Sequence, residues 1–535
     1  MAIREASLNA GSQKVAPGET MGRAPRWGIW LGLFAAAAAV RLLFAARLAF
    51  PPLDDPAFYL QTARNLAHGR GLVIDVLWFF QYPFAGVTHA SHEYWMPLAT
   101  LIMAPFIRLF GDHLLVARIP GILLGASLTP LTYWLGRITW PERPRLAVLA
   151  SVLVIGGALP IYQSASTDSA APFAFCASMA LVCAALAIEN SSPRWAFGAG
   201  IFGGLSYLAR ADGVLVILCV VAFLAGSVRR RNGTVSNLVQ LLGVGIVVLP
   251  WWLRNLSTFG TIQPVSPWIG AVLQDYLQMF NWNDPPTLQG LLARGIGFVA
   301  SLREQALVHN LSVWLVIGFP YVVLGIPGLL IQKKRIFQIG AAYGLSLLLI
   351  SGIVYSVPTL SGLFYHSAGA TLPWLAVGSV EVLRRMSEHG RWRLMAIAMY
   401  AATIILIGTQ CAIALPNVLR VSQEEKSRFE AAGQWLRQNV PEGEPVLATQ
   451  PHSLNYASGY PALMVPAGQD VDSLRNVAVA YGVRFVVVTE KVGKYPEGLD
   501  ALASEGMANR FDIGGALIYE LGRSLTPIEK SAPGD

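Results

Sequence analysis

From Trp27 to Leu415 the chain repeats apolar stretches of about 18 to 25 residues, and no other feature limits its fold so strongly. A helix of that length crosses the roughly 30 Å of hydrocarbon in a bilayer. The candidate spans are 27–50, 115–136, 146–163, 170–188, 196–209, 212–228, 236–253, 309–332, 336–357, 368–383 and 394–415. Composition agrees, with 54% hydrophobic and only 13% charged residues. The chain therefore reads as an α-helical polytopic membrane protein. The first apolar run contains Arg41 and Arg47 and lacks a clear A-x-A site, so it reads as a span in preference to a cleaved signal peptide. After Leu415 charges return, together with a short apolar run at Phe485-Val486-Val487-Val488 and an amphipathic stretch at 424–438. That texture predicts a C-terminal soluble α/β domain over 416–535.

The net charge of +8 is dispersed among the loops, without basic tracts interleaved with aromatics, which argues against a nucleic-acid partner. Its distribution sets the topology, because Lys and Arg gather on the cytoplasmic side of span ends. The clusters are Arg23/Arg26, Arg137 to Arg145, Arg194, Arg229-Arg230-Arg231, Lys333-Lys334-Arg335 and Arg384 to Arg393. Placing them all inside gives about eleven crossings, a cytoplasmic tail at 1–26, and an extracytoplasmic C-terminal domain. Residues 96–110 are too short to cross and contain Pro97, Pro105 and Arg108, so they are expected to form a juxtamembrane or re-entrant helix on the outer side. All four cysteines, Cys176, Cys183, Cys219 and Cys411, fall in apolar spans and imply no disulfide and no cysteine metal site.

On this topology the outer face receives 51–114, 164–169, 210–212, 254–308, 358–367 and the tail, and the polar residues crowd there. The stretch PPLDDPAFYLQTARNL places Asp54 and Asp55 directly after the first span. Asp55 before Pro56 reads as a helix cap, but a carboxylate at the rim of a membrane cavity also suits a catalytic base, and a metal site is a third possibility. His89, His92 and Glu93 lie within five residues and can hold a sugar, a phosphate or a metal, although their spacing fits no zinc motif. Asp168 either caps the following helix or joins the site. Arg210 and Asp212 interrupt an apolar stretch, so they are paired or face a polar cavity. Arg254, in LPWWLRN, is either an interfacial snorkelling residue or a phosphate donor fork. Tyr365 and His366 stand in the short outer loop before residue 368.

Together these segments resemble the membrane-embedded glycosyltransferases of the GT-C class, particularly the branch holding protein O-mannosyltransferases and the aminoarabinose transferase for lipid A. DDPAFYLQTARNLAHGRG is similar to the family's first outer loop, where an acid is followed four residues later by Tyr and eight later by Ala-Arg. Counting back from Tyr59 and Ala63 gives Asp55, with Asp54 as its neighbour. HEYWMPL resembles the family's His-x-Pro-Pro-Leu region, Thr167-Asp168-Ser169 its second-loop acid, and LPWWLRNLSTFG its Pro-Trp-x-x-Arg-Asn element. The sequence departs from the family where Glu93-Tyr94-Trp95-Met96 replaces a Lys-Pro-Pro type element, and no Asp-x-Asp motif stands near residue 54.

The resemblance implies a GT-C catalytic domain over 27–415. It would transfer one sugar, with inversion, from a polyprenyl-phosphate donor to a hydroxyl acceptor on a glycan, lipid or protein at the extracytoplasmic face of the cell membrane. Asp55 would be the base or acceptor-orienting group, with Asp54, Glu93 and Asp168 assisting. Tyr59, His89 and His92 would contact the acceptor or sugar. Arg254, Arg210, His366 and Tyr365 would bind the donor phosphate. No cofactor is expected, and a divalent metal is possible without positive support. The competing readings are a transporter or flippase of a lipid-linked or polar substrate, and a non-catalytic assembly protein, for which the sequence offers no motif.

Overall fold

A computed structural model describes residues 27–51, 54–82, 84–226, 233–265, 268–282, 284–355, 362–467, 471–489 and 495–522. The amino-terminal tail at 1–26 and the basic cluster Arg229-Arg230-Arg231 lie outside them. In chain order the helices begin with α1 (Trp27–Ala45), α2 (Asp54–Ala67), α3 (Leu98–Phe110), α4 (Leu114–Thr139), α5 (Pro144–Ile155), α6 (Ala158–Ala165) and α7 (Ala170–Glu189). There follow α8 (Pro193–Ala209), α9 (Gly213–Ala225), α10 (Gly233–Phe259), α11 (Ile269–Val272), α12 (Leu288–Ala293), α13 (Ile296–Ile317) and α14 (Val322–Leu330). The last are α15 (Arg335–Leu349), α16 (Leu363–Ser367), α17 (Leu372–Glu388), α18 (Arg393–Asn439), α19 (Pro451–Ser458), α20 (Val471–Tyr481) and α21 (Tyr495–Ser504).

Each predicted span falls on helix, in three grades. Six helical segments are long and apolar enough to cross a membrane unaided, and two bent pairs raise the number to eight. The bends have local causes. α5 and α6 meet at 66° across Gly156-Gly157, where Gly157 adopts φ +104°, a conformation that side chains disfavour. α13 and α14 meet at 104° across Gly318-Phe319-Pro320, where proline lacks the N–H that a continuing helix would use. The single span expected over 309–332 is therefore two helices at a steep angle. The remaining three, α8, α9 and α17, are shorter, at 17, 13 and 17 residues. α3 is an apolar helix of 13 residues, below spanning length. α10 continues to Phe259 and α13 begins at Ile296, so the connection between them is narrower than the loop expected over 254–308.

α18 runs unbroken from Arg393 past Pro416 to Asn439, so one helix joins the apolar part of the molecule to the α/β part. There a sheet of six strands has the order β2-β5-β4-β6-β8-β7. Strands β4 (Val446–Ala448), β5 (Ala462–Met464) and β6 (Phe485–Val488) are parallel, while β7 (Ala508–Ile513) and β8 (Ala516–Leu521) form an antiparallel edge. The other edge, β2 (Val76–Leu77), comes from the first loop and pairs with β5. In that loop β1 (Val73–Ile74) also pairs with β3 (His89–Ala90).

Strand periodicity explains how both sheet faces are covered. Phe485 and Val487 point into one core with Phe429, Ala432 and Leu436 of α18 and with Phe58, Trp78 and Trp95 of the first loop. Val486 and Val488 point into the opposite core with Leu474 and Val477 of α20 and with Leu499 of α21. The first loop and the C-terminal sheet therefore share one core, and α2 is fixed between them.

Candidate active site

Three anchors place α2. Arg118 of α4, buried in the apolar bundle, donates to the carbonyls of Ala45 (3.0 Å), Leu48 (2.7 Å) and Phe50 (3.3 Å), at and just after the end of α1. Ser422 of α18 accepts from the Phe50 N–H at 3.0 Å, and Phe50 stacks on Phe429. Asp54 then accepts from the N–H groups of His452 (3.1 Å) and Ser453 (3.3 Å) at the start of α19. Asp54 thus joins α2 to the sheet unit. Helix α2 begins at Asp54, which puts Asp55 inside the first turn instead of ahead of it as the expected cap.

With α2 held, three distant segments converge around the Asp55 carboxylate. His366 of α16 places Nε2 3.0 Å from Asp168 Oδ2 and 3.8 Å from Asp55 Oδ2. The other Asp168 oxygen accepts from the backbone N–H of Ser169 and, at 3.1 Å, from its hydroxyl. Thr167 donates to the carbonyl of Pro56 at 2.6 Å, tying this second loop to α2. Arg210, just after α8, pairs with Asp212 at 3.0 Å and reaches the Ser169 hydroxyl at 3.4 Å. Ser367 donates to the other oxygen of Asp212. Tyr59, one helical turn after Asp55 and so on the same face, is buried and hydrogen-bonded to Ser169.

The two site carboxyls sit in opposite electrostatic situations. Burial and the charge of Asp168 push Asp55 up to about 6, against the opposing pull of His366, Arg210 and the Trp95 indole. Burial also acts on Asp168, but His366, Arg210 and the Ser169 N–H outweigh it and hold the group down at about 2. At neutral pH Asp168 is a fixed anion, whereas Asp55 is an anion close to its titration point. Asp55 alone of the two suits proton exchange. Asp55, Asp168 and His366 also present one donor atom each within 4.8 Å of one another, a spacing that a divalent cation can bridge.

The remaining candidates form a separate group. His89 Nε2 lies 3.7 Å from Glu93 Oε1, both buried, while His89 Nδ1 meets the Val87 carbonyl at 2.8 Å. His92 hydrogen-bonds Ser91 and, at 3.1 Å, Thr100. Arg254 lies within α10, donates to the Ser91 carbonyl and to Asn255 at 3.0 Å each, and is sandwiched between the Trp251 and Phe259 rings at 4.9 Å. Among the described residues no ion pair or hydrogen bond links Glu93, His89 or Arg254 to Asp55, Asp168 or His366. Tyr365 lies in the Asp55 group, near both Asp168 and Asp55.

Sequence reasoning missed Ser169, Ser367, Trp95, Tyr162 and Tyr276. The two serines adjoin Asp168 and His366 and were within reach of a neighbour argument. Tyr162 precedes Asp168 by six residues near the end of α6, but Tyr276, near Asp55 in the loop after α11, carries no local signal.

Residues 91–253 match the family described as dolichyl-phosphate-mannose-protein mannosyltransferase. No curated protein matches the chain in sequence. In three dimensions it is similar to ArnT from Cupriavidus metallidurans, in the apo state (TM-score 0.55) and bound to undecaprenyl phosphate (TM-score 0.57). In both cases identity is 14%, with 94% of this chain and 99% of the other covered. Fold, bundle and family match agree with the resemblance read from the sequence: this is a multi-pass membrane protein with an ArnT-like GT-C fold, and its segment 91–253 matches the protein-mannosyltransferase family.

Proposed function

We propose that the protein is a glycosyltransferase that moves a single sugar from a polyprenyl-phosphate donor to a hydroxyl acceptor, with Asp55 as the base. The carrying observation is the contrast within the carboxyl pair, in which buried Asp168 has two direct partners while half-buried Asp55 has a 3.8 Å contact to His366 and the Trp95 indole beside it. A base must be ionised yet able to accept a proton, and Asp55 meets both conditions. The match to a dolichyl-phosphate-mannose family and the likeness to an undecaprenyl-phosphate-bound ArnT support a polyprenyl-linked donor.

In the proposed step the acceptor O–H gives its proton to Asp55 while its oxygen forms a bond to the anomeric carbon. The bond from that carbon to the phosphate oxygen breaks, and its electron pair leaves with the polyprenyl phosphate. Attack opposite the leaving group inverts the anomeric centre. Arg210 is the cation of the cluster and is proposed to face the leaving phosphate, whose developing charge a guanidinium stabilises. Tyr59 and Tyr365 are proposed to contact sugar or acceptor. The C-terminal unit is proposed to be extracytoplasmic and to steady α2 through Asp54.

The test is Asp55→Asn in purified protein, assayed with radiolabelled polyprenyl-phosphate sugars and an extract of envelope acceptors. Asn keeps the shape and removes the base, so transfer falls at least about a hundredfold. Undiminished transfer removes Asp55 from the reaction.

A further inference from the structure

Helix α6 has only eight residues, yet its carboxyl end is tied to two other parts of the site. Gln163 donates to the Tyr365 carbonyl at 2.8 Å, beside His366. Just past the end of α6, Thr167 donates to the Pro56 carbonyl at 2.6 Å, beside Asp55, and Asp168 follows directly. The direction of α6 therefore decides where Asp168 and α16 stand relative to α2. The chain alone does not fix that direction, because α5 and α6 meet at 66° across two glycines, the residues with the widest conformational range.

A buried guanidinium spans the break. Arg41 of α1, 0% exposed, donates from Nε to the Ser164 hydroxyl of α6 at 3.2 Å and from Nη1 to the carbonyl of Ile155, the last residue of α5, at 3.3 Å. Nη1 also donates to Ala37 of its own helix at 3.0 Å. One side chain thus holds both arms of the bend against α1. Among the described residues no carboxylate pairs with Arg41, and the titratable groups beside it are the Tyr321 phenol and the Cys411 thiol, neither an anion at neutral pH. A cation without a countercharge is expensive in an apolar bundle, and what it gains here is hydrogen bonds and the favourable carboxyl end of α5. The fit leaves no slack. A methyl group at Gly125 of α4 would overlap the Ser164 hydroxyl and lie 3.5 Å from Arg41 Nε.

We propose that Arg41 is a positioning residue that acts on the reaction from inside the bundle: it sets the angle of α6, and through Gln163, Thr167 and Asp168 the assembly of α16 and the second loop around Asp55. For the reaction it positions, this rests on the glycosyl-transfer reading above.

Arg41→Met keeps an unbranched side chain and removes the donors to both arms. In purified protein kcat is expected to fall about tenfold or more, because small misplacements of reacting groups are costly, while donor KM changes by no more than about twofold. Gly125→Ala pushes Ser164 away from the other side and gives the same kcat-selective loss, which keeps the test available should Arg41→Met fail to fold. Ser164→Ala lowers kcat in the parent protein but adds nothing in the Arg41→Met background, since both break the same latch. A measurement without substrate reads the latch directly. Hydrogen exchange over 162–169 is faster in Arg41→Met and unchanged in Glu381→Gln, which removes a buried acid of α17 instead.

An unchanged kcat in folded Arg41→Met overturns the proposal, as does a loss confined to donor KM. So do additive losses in the Arg41→Met, Ser164→Ala double variant, or an equal loss of turnover per folded molecule in Glu381→Gln, which would make the effect one of general stability. If exchange over 162–169 rises as stated and the wild-type protein transfers sugar from no polyprenyl-phosphate donor, the reaction assignment falls and the hold of Arg41 on α6 stands.

Discussion

A buried carboxylate and a half-buried one, at different places in the molecule, are partnered in opposite ways. Glu381, in the last part of α17, accepts from Arg384 (2.7 and 2.9 Å), Arg385 (2.8 Å) and the Trp140 indole (2.9 Å), so both of its oxygens are saturated by groups from α17 and the end of α4. Asp55 has the Trp95 indole and a long contact to a histidine already engaged with another acid. The first arrangement is a clamp between helices. The second fits the proposed base, since a half-buried carboxylate with no arginine bridged to it among the described residues adds little to the fold and can still take up a proton.

The sharpest way to break this contrast is to neutralise each group in turn. Asp55→Asn is expected to lower transfer at least about a hundredfold with no loss of thermal stability in detergent. Glu381→Gln should do the reverse, because it removes the charged acceptor shared by Arg384, Arg385 and the Trp140 indole, at a cost of about 1–2 kcal/mol. Its unfolding temperature drops, while turnover per folded molecule stays near that of the parent. Equal stability losses in the two variants would erase the distinction.

The pH dependence sharpens the comparison at smaller magnitude. Asp55 titrates at about 6, raised from the ordinary carboxylate range, so its base form is lost as pH falls through that value. Between pH 7 and pH 5 the rate is expected to fall about tenfold, whereas Asp168, held down at about 2, remains ionised throughout. A rate that is flat to pH 4.5 would identify a different base.

Next in size is the neighbour of Asp55. Asp54→Ala removes the acceptor for the first N–H groups of α19 and is expected to cost about 1 kcal/mol. The loss should appear as faster hydrogen exchange over 451–458, with a smaller fall in turnover as α2 loosens. Unchanged exchange there would show that the shared core alone holds the sheet unit against α2.

Much of the fold was legible because membrane helices are written in the chain as long apolar runs. The bends were not, because a run's average hydropathy is insensitive to two glycines at 156–157 or to Pro320. The sheet was legible from 446 onward, but its β2 edge is only two residues long, too short for alternation to register, and lies 386 positions from its partner β5 (Val76 against Ala462). The site was legible where a charge interrupts apolar sequence, as at Asp55, Asp168, Arg210 and His366. The tyrosines around it were hidden, since a phenol near a membrane surface looks the same whether it anchors at headgroups or lines a cavity. Position along the loop also misled. His89, His92 and Glu93 share a loop with Asp55, yet bond within a group of their own.

Arg254 offers the finest test of the division between these two groups. Its guanidinium acts as a clamp, with Nη1 on Asn255, Nη2 on the Ser91 carbonyl and its faces against Trp251 and Phe259. Lysine retains the charge but supplies neither fork nor flat stacking surface, so Arg254→Lys is expected to cost about 0.5–1 kcal/mol of stability. Donor KM should change by no more than about twofold if the clamp is the whole role, since a point charge at the same place attracts phosphate almost equally at long range. A tenfold rise in donor KM at unchanged stability would mean that Arg254 lets go of Ser91 to fork onto the donor phosphate. In that case the two groups of residues, separate at rest, would be joined by the substrate.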